Sequence, residues 1–129
     1  MRFIIFTLLC IFSVTTQAET KSSKSSDAGH FIVAYESKAK PIKINQMHSW
    51  VIAIQDANKK TILDAIVNIA GGMPEHDHGL PTQPLITKNL GEGKYLLEGM
   101  KFHMHGYWVV TLSIEAAGKT DQVTFPLNL

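Results

Sequence analysis

The chain has 129 residues, twelve Lys and Arg against eleven Asp and Glu, a formal net charge of +1, and 45% hydrophobic residues. That length fits one domain and leaves little room for a second. A near-zero charge with no basic stripe argues against a nucleic-acid partner, and a single cysteine excludes an internal disulfide.

The first element in chain order is a targeting segment. Arg2 supplies a short positive n-region, Phe3 to Val14 is apolar apart from Thr7, Cys10 and Ser13, and Thr16-Gln17-Ala18 ends in a small residue that a signal peptidase accepts. The apolar run is too short to cross a bilayer. Residues 1–18 therefore read as a secretory signal peptide, giving a periplasmic or secreted chain with no membrane insertion after cleavage. Removing it leaves Glu19 to Leu129, with eleven side chains of each charge and no cysteine. Cys10 fits a lipoprotein cysteine poorly, because Leu9 before it is larger than a lipobox normally accepts.

Residues 19–29, with their Lys-Ser-Ser-Lys-Ser-Ser run, have no apolar period and predict a disordered leader. The folded domain is expected over 30–129. Its first strand is predicted at His30 to Glu36, a brief second at Pro41 to Asn45, and a third at His48 to Gln55, with Trp50, Ile52 and Ile54 on one face. Thr61 to Ala70 reads as a fourth, with Ala65, Val67 and Ile69 sharing a face. The segment Gly71 to Pro84 holds three glycines and three prolines, which predicts a loop rather than a central strand.

Strands are predicted again at Leu85 to Leu90 and from Tyr95 to Glu98. Gly106 to Glu115 follows, with Trp108, Val110, Leu112 and Ile114 inward, then Gln122 to Asn128, with Val123, Phe125 and Leu127 inward. No segment carries a convincing amphipathic helix. Seven or eight short strands with frequent turns predict an all-β antiparallel sandwich. Gly93-Lys94-Tyr95 is similar to a tyrosine corner, in which a strand-opening Tyr ties its strand to a preceding connection; an ordinary buried Tyr is the alternative.

Two histidine clusters stand out. His76 and His78 lie one residue apart in the Gly-Pro loop, with Met73 just upstream and Asp77 between them. Both imidazoles can reach one ion, although histidines in exposed loops are common and mostly inert. Asp77 is a solvated turn residue or an orienting partner of one imidazole. The second cluster is Phe102-His103-Met104-His105-Gly106. Extending the Trp108 alternation backward turns Met104 toward the core, as a filler or a ligand, and His103 and His105 away from it. His48 shares the parity of Trp50 and sits at the edge of the inner face, where a histidine needs a partner. Met47 and Met100 read as fillers, and His30 as a surface residue.

The pattern Met73-Pro74-x-His76-x-His78-Gly79-x-Pro81-Thr82-x-Pro84, then Gly93-x-Tyr95 and Phe102-His103-Met104-x-Gly106-x-Trp108, resembles the YtkA-like group of small exported bacterial domains. His48-Ser49-Trp50 is similar to a His-x-Trp step in such proteins. The resemblance covers roughly Asn45 to the C-terminus. It implies an immunoglobulin-like β-sandwich related in shape to periplasmic copper carriers, with His48, Met73, His76, His78, His103 and Met104 as the positions to carry over. His105 falls where that pattern varies.

A donor set of imidazole and thioether without thiolate suits copper, Cu(I) first because thioether sulfur is soft. Zinc is second, since it more often takes Cys or carboxylate beside His. Enzymatic readings lack their signatures: there is no His-Glu-x-x-His helix, no completed His-x-His-x-Asp-His pattern and no Gly-x-Ser-x-Gly elbow. The expectation is a non-catalytic exported metal-binding protein, a copper carrier or sequestering protein that exchanges metal with another periplasmic or membrane-bound copper protein. The alternative is a protein-interaction module that uses the Gly-Pro-His loop as a rigid surface. A histidine-based pH sensor would require two conformations, and nothing in the sequence suggests them.

Overall fold

Period-two alternation of buried and more exposed residues shapes the core strands of this domain. A computed structural model describes residues 21–129, and the expected signal peptide lies outside them. The strands are β1 (Lys21–Ser25), β2 (Phe31–Ser37), β3 (His48–Asp56), β4 (Ile66–Met73), β5 (His78–Gly79), β6 (Leu85–Gly91), β7 (Lys94–Met100), β8 (Tyr107–Ala116) and β9 (Lys119–Asn128). They form two antiparallel sheets, ordered β1-β2-β3-β7-β6 and β5-β4-β8-β9. With β2 as strand A, the first carries the A-B-E-D order of an immunoglobulin domain and β4-β8-β9 the C-F-G order. No helix among the described residues is long and apolar enough to cross a membrane.

The inward faces are those the alternation predicts. Trp50, Ile52, Ile54, Trp108, Val110, Leu112, Ile114, Val123, Phe125 and Leu127 are all buried. Tyr35 stacks on Trp50 with ring centroids 4.1 Å apart and meets Phe125 edge-on at 4.9 Å. The first contact lies within one sheet and the second joins the two sheets; both contribute beyond the area they bury.

Nine strands form among the described residues, close to the seven or eight expected. Two expectations are corrected. Pro41 to Asn45 is an irregular connection and not a strand; Ile42 alone of its side chains is buried. The leader expected to be disordered supplies β1, whose five residues pair in unbroken register with β2, from Lys21 opposite Glu36 to Ser25 opposite Ile32. Composition misleads here because an edge strand can be held by its backbone ladder with no apolar side chain of its own.

A buried carboxylate anchors that strand. Asp121, 8% exposed on β9, accepts hydrogen bonds from Ser26 Oγ at 2.6 Å and from the backbone amides of Ala28, His30 and Gln122 at 2.8–3.2 Å. The clasp ties the β1–β2 turn to the other sheet. The Ser26 hydroxyl and these amides hold the Asp121 carboxyl down at about 2, against an ordinary value of 3.8. A carboxylate lowered on folding stabilises the fold above its unfolded pKa, and that contribution is lost as pH falls through the folded one. Thermal melts should therefore show stability falling between about pH 4 and pH 2. Asp121→Asn should lower Tm at neutral pH and flatten this acid limb.

The Tyr95 hydroxyl donates to Ile62 O at 2.6 Å and accepts from Ala65 N at 3.1 Å. The expected tie between a strand-opening tyrosine and an earlier connection is present, but on β7, the E-type strand, where immunoglobulin domains place theirs on F. It fixes the β3–β4 connection just before the strand that carries the histidine hairpin. Tyr95→Phe leaves both backbone groups short of a partner and should cost about 1–3 kcal/mol in urea denaturation.

Candidate metal centre

The Gly71–Pro84 segment is only partly a loop. β4 continues through Gly71 and Gly72 to Met73, and the chain reverses at once into β5, with Gly72 opposite Gly79 and Met73 opposite His78. The two glycines permit this because neighbouring backbones crowd them from both sides. A Cβ on Gly71 would lie 2.7 Å from Val109 O, and one on Gly72 would overlap the carbonyl oxygen of His78. Glycine density here marks close backbone approach inside a strand, a use of glycine as characteristic as the loop that was expected. In the reversal His76 N donates to Met73 O at 3.1 Å, and Asp77 adopts a left-handed φ of 52°. Asp is among the few side chains that tolerate that conformation, so Asp77 has a defined backbone role as a turn residue.

The hairpin presents two exposed imidazoles side by side. The rings of His76 and His78 are near-parallel, at 26°, with centroids 6.2 Å apart. The second cluster comes up beside them. His103 meets His78 edge-on at 6.0 Å and Trp108 edge-on at 5.4 Å. Thus His76, His78 and His103 form a row that ends against a buried tryptophan, and His103 Nδ1 is buried without a hydrogen-bond partner. A buried nitrogen in that state favours any partner that can use its lone pair or its proton.

The two ring contacts of the row can be compared with the spacing a shared ion would need. Two imidazoles bound to one ion through metal–nitrogen bonds of about 2.0 Å have ring centres roughly 5–6 Å apart. The two observed spacings, 6.0 Å for His78–His103 and 6.2 Å for His76–His78, lie at and just beyond the upper end of that range. Among the described residues no three His, Cys, Asp or Glu are already arranged as ligands around one point.

The remaining carried-over positions are distributed differently. Met73 is 1% exposed and belongs to the core; its methyl group lies 2.7 Å from where a Cβ on Gly106 would stand. It therefore packs the hairpin against the second cluster. Met104, expected to turn inward, is 38% exposed, while His103 is half-buried and His105 exposed. The backward alternation fails because β8 begins only at Tyr107. Residues 104–106 form a bend at Gly106, φ 137°, and Phe102 takes the core position. Trp108 Nε1 donates to Met104 O at 3.0 Å and holds that bend.

His48 is set apart from the row. Its ring meets Phe102 at 5.8 Å and Trp50 at 6.4 Å, and among the described residues no ring contact joins it to His76, His78 or His103. His48 Nδ1 lies 3.1 Å from Gln46 O, a contact that requires the proton on Nδ1 and leaves the lone pair on Nε2. That Nε2 is buried without a partner, and burial pushes the imidazole pKa down despite the Gln46 carbonyl, which pushes it up. The neutral ring with its proton directed away is the form a metal ligand takes, yet its neighbours are aromatic carbons. Met47, read as a filler, is 59% exposed, whereas Met100 is fully buried. His30 lies beside Phe31, its rings 6.4 Å apart.

Fold and site together define a small immunoglobulin-like sandwich with an imidazole row displayed at one end by a glycine-dependent hairpin. The YtkA-like family model matches residues 26–113, and the chain belongs to that family. No curated protein and no solved structure matches it significantly.

Proposed function

We propose that this chain is an exported, non-catalytic metal-binding protein that carries or sequesters copper in the periplasm or outside the cell. The single observation that supports the reading is the meeting of His78 with both His76 and His103, residues from two separate segments. The exposed imidazoles of His76 and His78 bury almost no apolar area, so their place beside His103 has little packing value of its own. As ligands they match copper in either oxidation state, and Met104 is the nearest thioether in sequence that is open to solvent. Zinc is the second choice for an imidazole-dominated donor set. The partner would be another periplasmic or membrane-bound copper protein that receives or delivers the ion.

The alternative reading is an interaction module whose hairpin is a rigid contact surface. Thermal melts with and without metal separate the two, since an ion bound only by the folded chain stabilises it by mass action. At a hundredfold excess over Kd the gain is about 2.7 kcal/mol. Copper should raise Tm in the wild type and in His30→Ala, and much less in the His76→Ala/His78→Ala double variant. Indifference to copper and zinc alike would favour the interaction module.

A further inference from the structure

The outward face of the β5-β4-β8-β9 sheet has a protrusion at one end and a depression at the other. Its outward positions alternate with the buried Val67, Val110, Leu112, Val123 and Phe125. Ile66 opens β4 on this face and is 60% exposed, a large aliphatic side chain left in water. Further along the same strand and on the same face, Gly72 has no side chain at all. There the surface sinks into a groove of about 330 Å³, lined by Gly72, Pro74, Asp77, His78, Gly79 and Val109. Between the two ends, Asn68, Ala70, Thr111, Ser113, Gln122 and Thr124 carry no charge. The Thr111 and Thr124 hydroxyls already bond to one another at 2.8 Å. One carboxylate of β8, Glu115, stands opposite Ile66, and Tyr107, 38% exposed, stands at the far end of the same strand.

We infer that this face binds a second copy of the chain, about a two-fold axis that crosses the strands near Ala70 and Thr111. Such an axis reverses the strand direction between the copies. Ile66 of each copy then seats in the groove at Gly72 of the other. Glu115 of each falls over Tyr107 of the other, whose hydroxyl can donate to the carboxylate. The relief is self-complementary: one protrusion and one depression on one face, exchanged reciprocally, close the assembly at two chains. A face uncharged along its middle is also cheap to take out of water. Its Thr and Ser hydroxyls both donate and accept, so they pair with their own copies without mismatch. The strands β4, β8 and β9 are 8, 10 and 10 residues long. At about 4.8 Å between strands the patch measures roughly 14 Å by 30 Å. That is small for a protein interface, which makes the dimer a weak, concentration-dependent one. It requires no metal and stands apart from the metal-binding reading.

The test is sedimentation equilibrium on the mature chain, with a chelator present, from about 1 μM to about 1 mM protein. The mass should rise from one chain toward two and stop there. Ile66→Glu would carry an unpaired carboxylate into the groove and should weaken the dimer about tenfold or more. Ile66 is exposed, so the fold tolerates the change, and a thermal melt checks it. Gly79→Phe fills the groove from the opposite side and should weaken the dimer comparably. A Cβ there has room, its nearest neighbour being Gly71 O at 3.8 Å. Cross-linking with a short bis-maleimide reads the orientation, since the chain from Glu19 onward has no cysteine of its own. Ile66→Cys mixed with Gly79→Cys should link. Ile66→Cys alone should not, because the reversed strands hold the two copies of position 66 roughly 26 Å apart. A single-chain mass throughout overturns the proposal and leaves the face to a different protein. A dimer undiminished in both Ile66→Glu and Gly79→Phe overturns the choice of face. Ready self-linking of Ile66→Cys overturns the axis, and growth beyond two chains overturns the closure.

Discussion

Replacing Gly72 by alanine is expected to destabilise the domain and to weaken copper binding together. The added methyl group would overlap the carbonyl oxygen of His78, which is backbone and cannot rotate away. Either β5 separates from β4 or the whole hairpin shifts. The first outcome gives up the Met73–His78 pairing, and the second moves His78 relative to His103. Forcing an extra methyl group into packed structure costs about 1–3 kcal/mol. The loss of affinity should be about tenfold or more, because His78 is the imidazole that meets both others. Gly79→Ala is the control: the same chemical change, one strand away, meets only ordinary contact at 3.8 Å. Urea denaturation and competitive Cu(I) titration of the two variants should separate cleanly.

Met73→Ala is expected to carry the largest stability cost of any change in the hairpin. The side chain is 1% exposed and bridges β4 to the bend at Gly106. Truncating a buried methionine removes its contacts and leaves a cavity, at about 2–5 kcal/mol. Met73→Leu conserves volume and should cost less than about 1.5 kcal/mol. The pair also decides what this methionine does. If Met73 packs the two clusters together, Met73→Leu binds Cu(I) nearly as well as the wild type. If its sulfur is a ligand, the leucine variant folds and loses Cu(I) affinity. The burial predicts the first result.

These expectations show where sequence and structure diverge. The sandwich was legible because alternation survives wherever both sheets face one core: Trp50, Ile52 and Ile54 on β3 and Trp108 to Ile114 on β8 point inward as predicted. The Tyr95 tie was legible in part: Gly-x-Tyr at a strand start fits it and an ordinary buried Tyr alike, and the hydroxyl's bonds to Ile62 O and Ala65 N decide between them. β1 was not, since Lys21–Ser25 owes its place to a backbone ladder and to the Asp121 clasp, formed with a residue about a hundred positions away. Parity failed at Met104 because Gly106 breaks the strand whose rhythm was being extended. The glycines at 71 and 72 were read as loop residues, and their signal was ambiguous: in a strand flanked by Val67, Ile69 and Met73 they mark the approach of another backbone.

The candidate site was legible in part for related reasons. Spacing indicated that His76 and His78 could act together, and resemblance added His103, which the fold brings to His78. The same resemblance added Met73 and His48, which the fold assigns to the core and to an aromatic pocket beside Phe102. A linear pattern cannot distinguish a methionine that ligates from one that packs the ligands' supports together, because both must lie near the same place.

The central claim is that His76, His78 and His103 share one ion. X-ray absorption on the copper-loaded mature chain tests it most directly, because scattering from imidazole rings counts the histidines around the metal. The expected result is three imidazoles with nitrogen at about 2.0 Å in the wild type, falling to two in His103→Ala. A wild-type spectrum with two imidazoles or fewer, unchanged by His103→Ala, would contradict it.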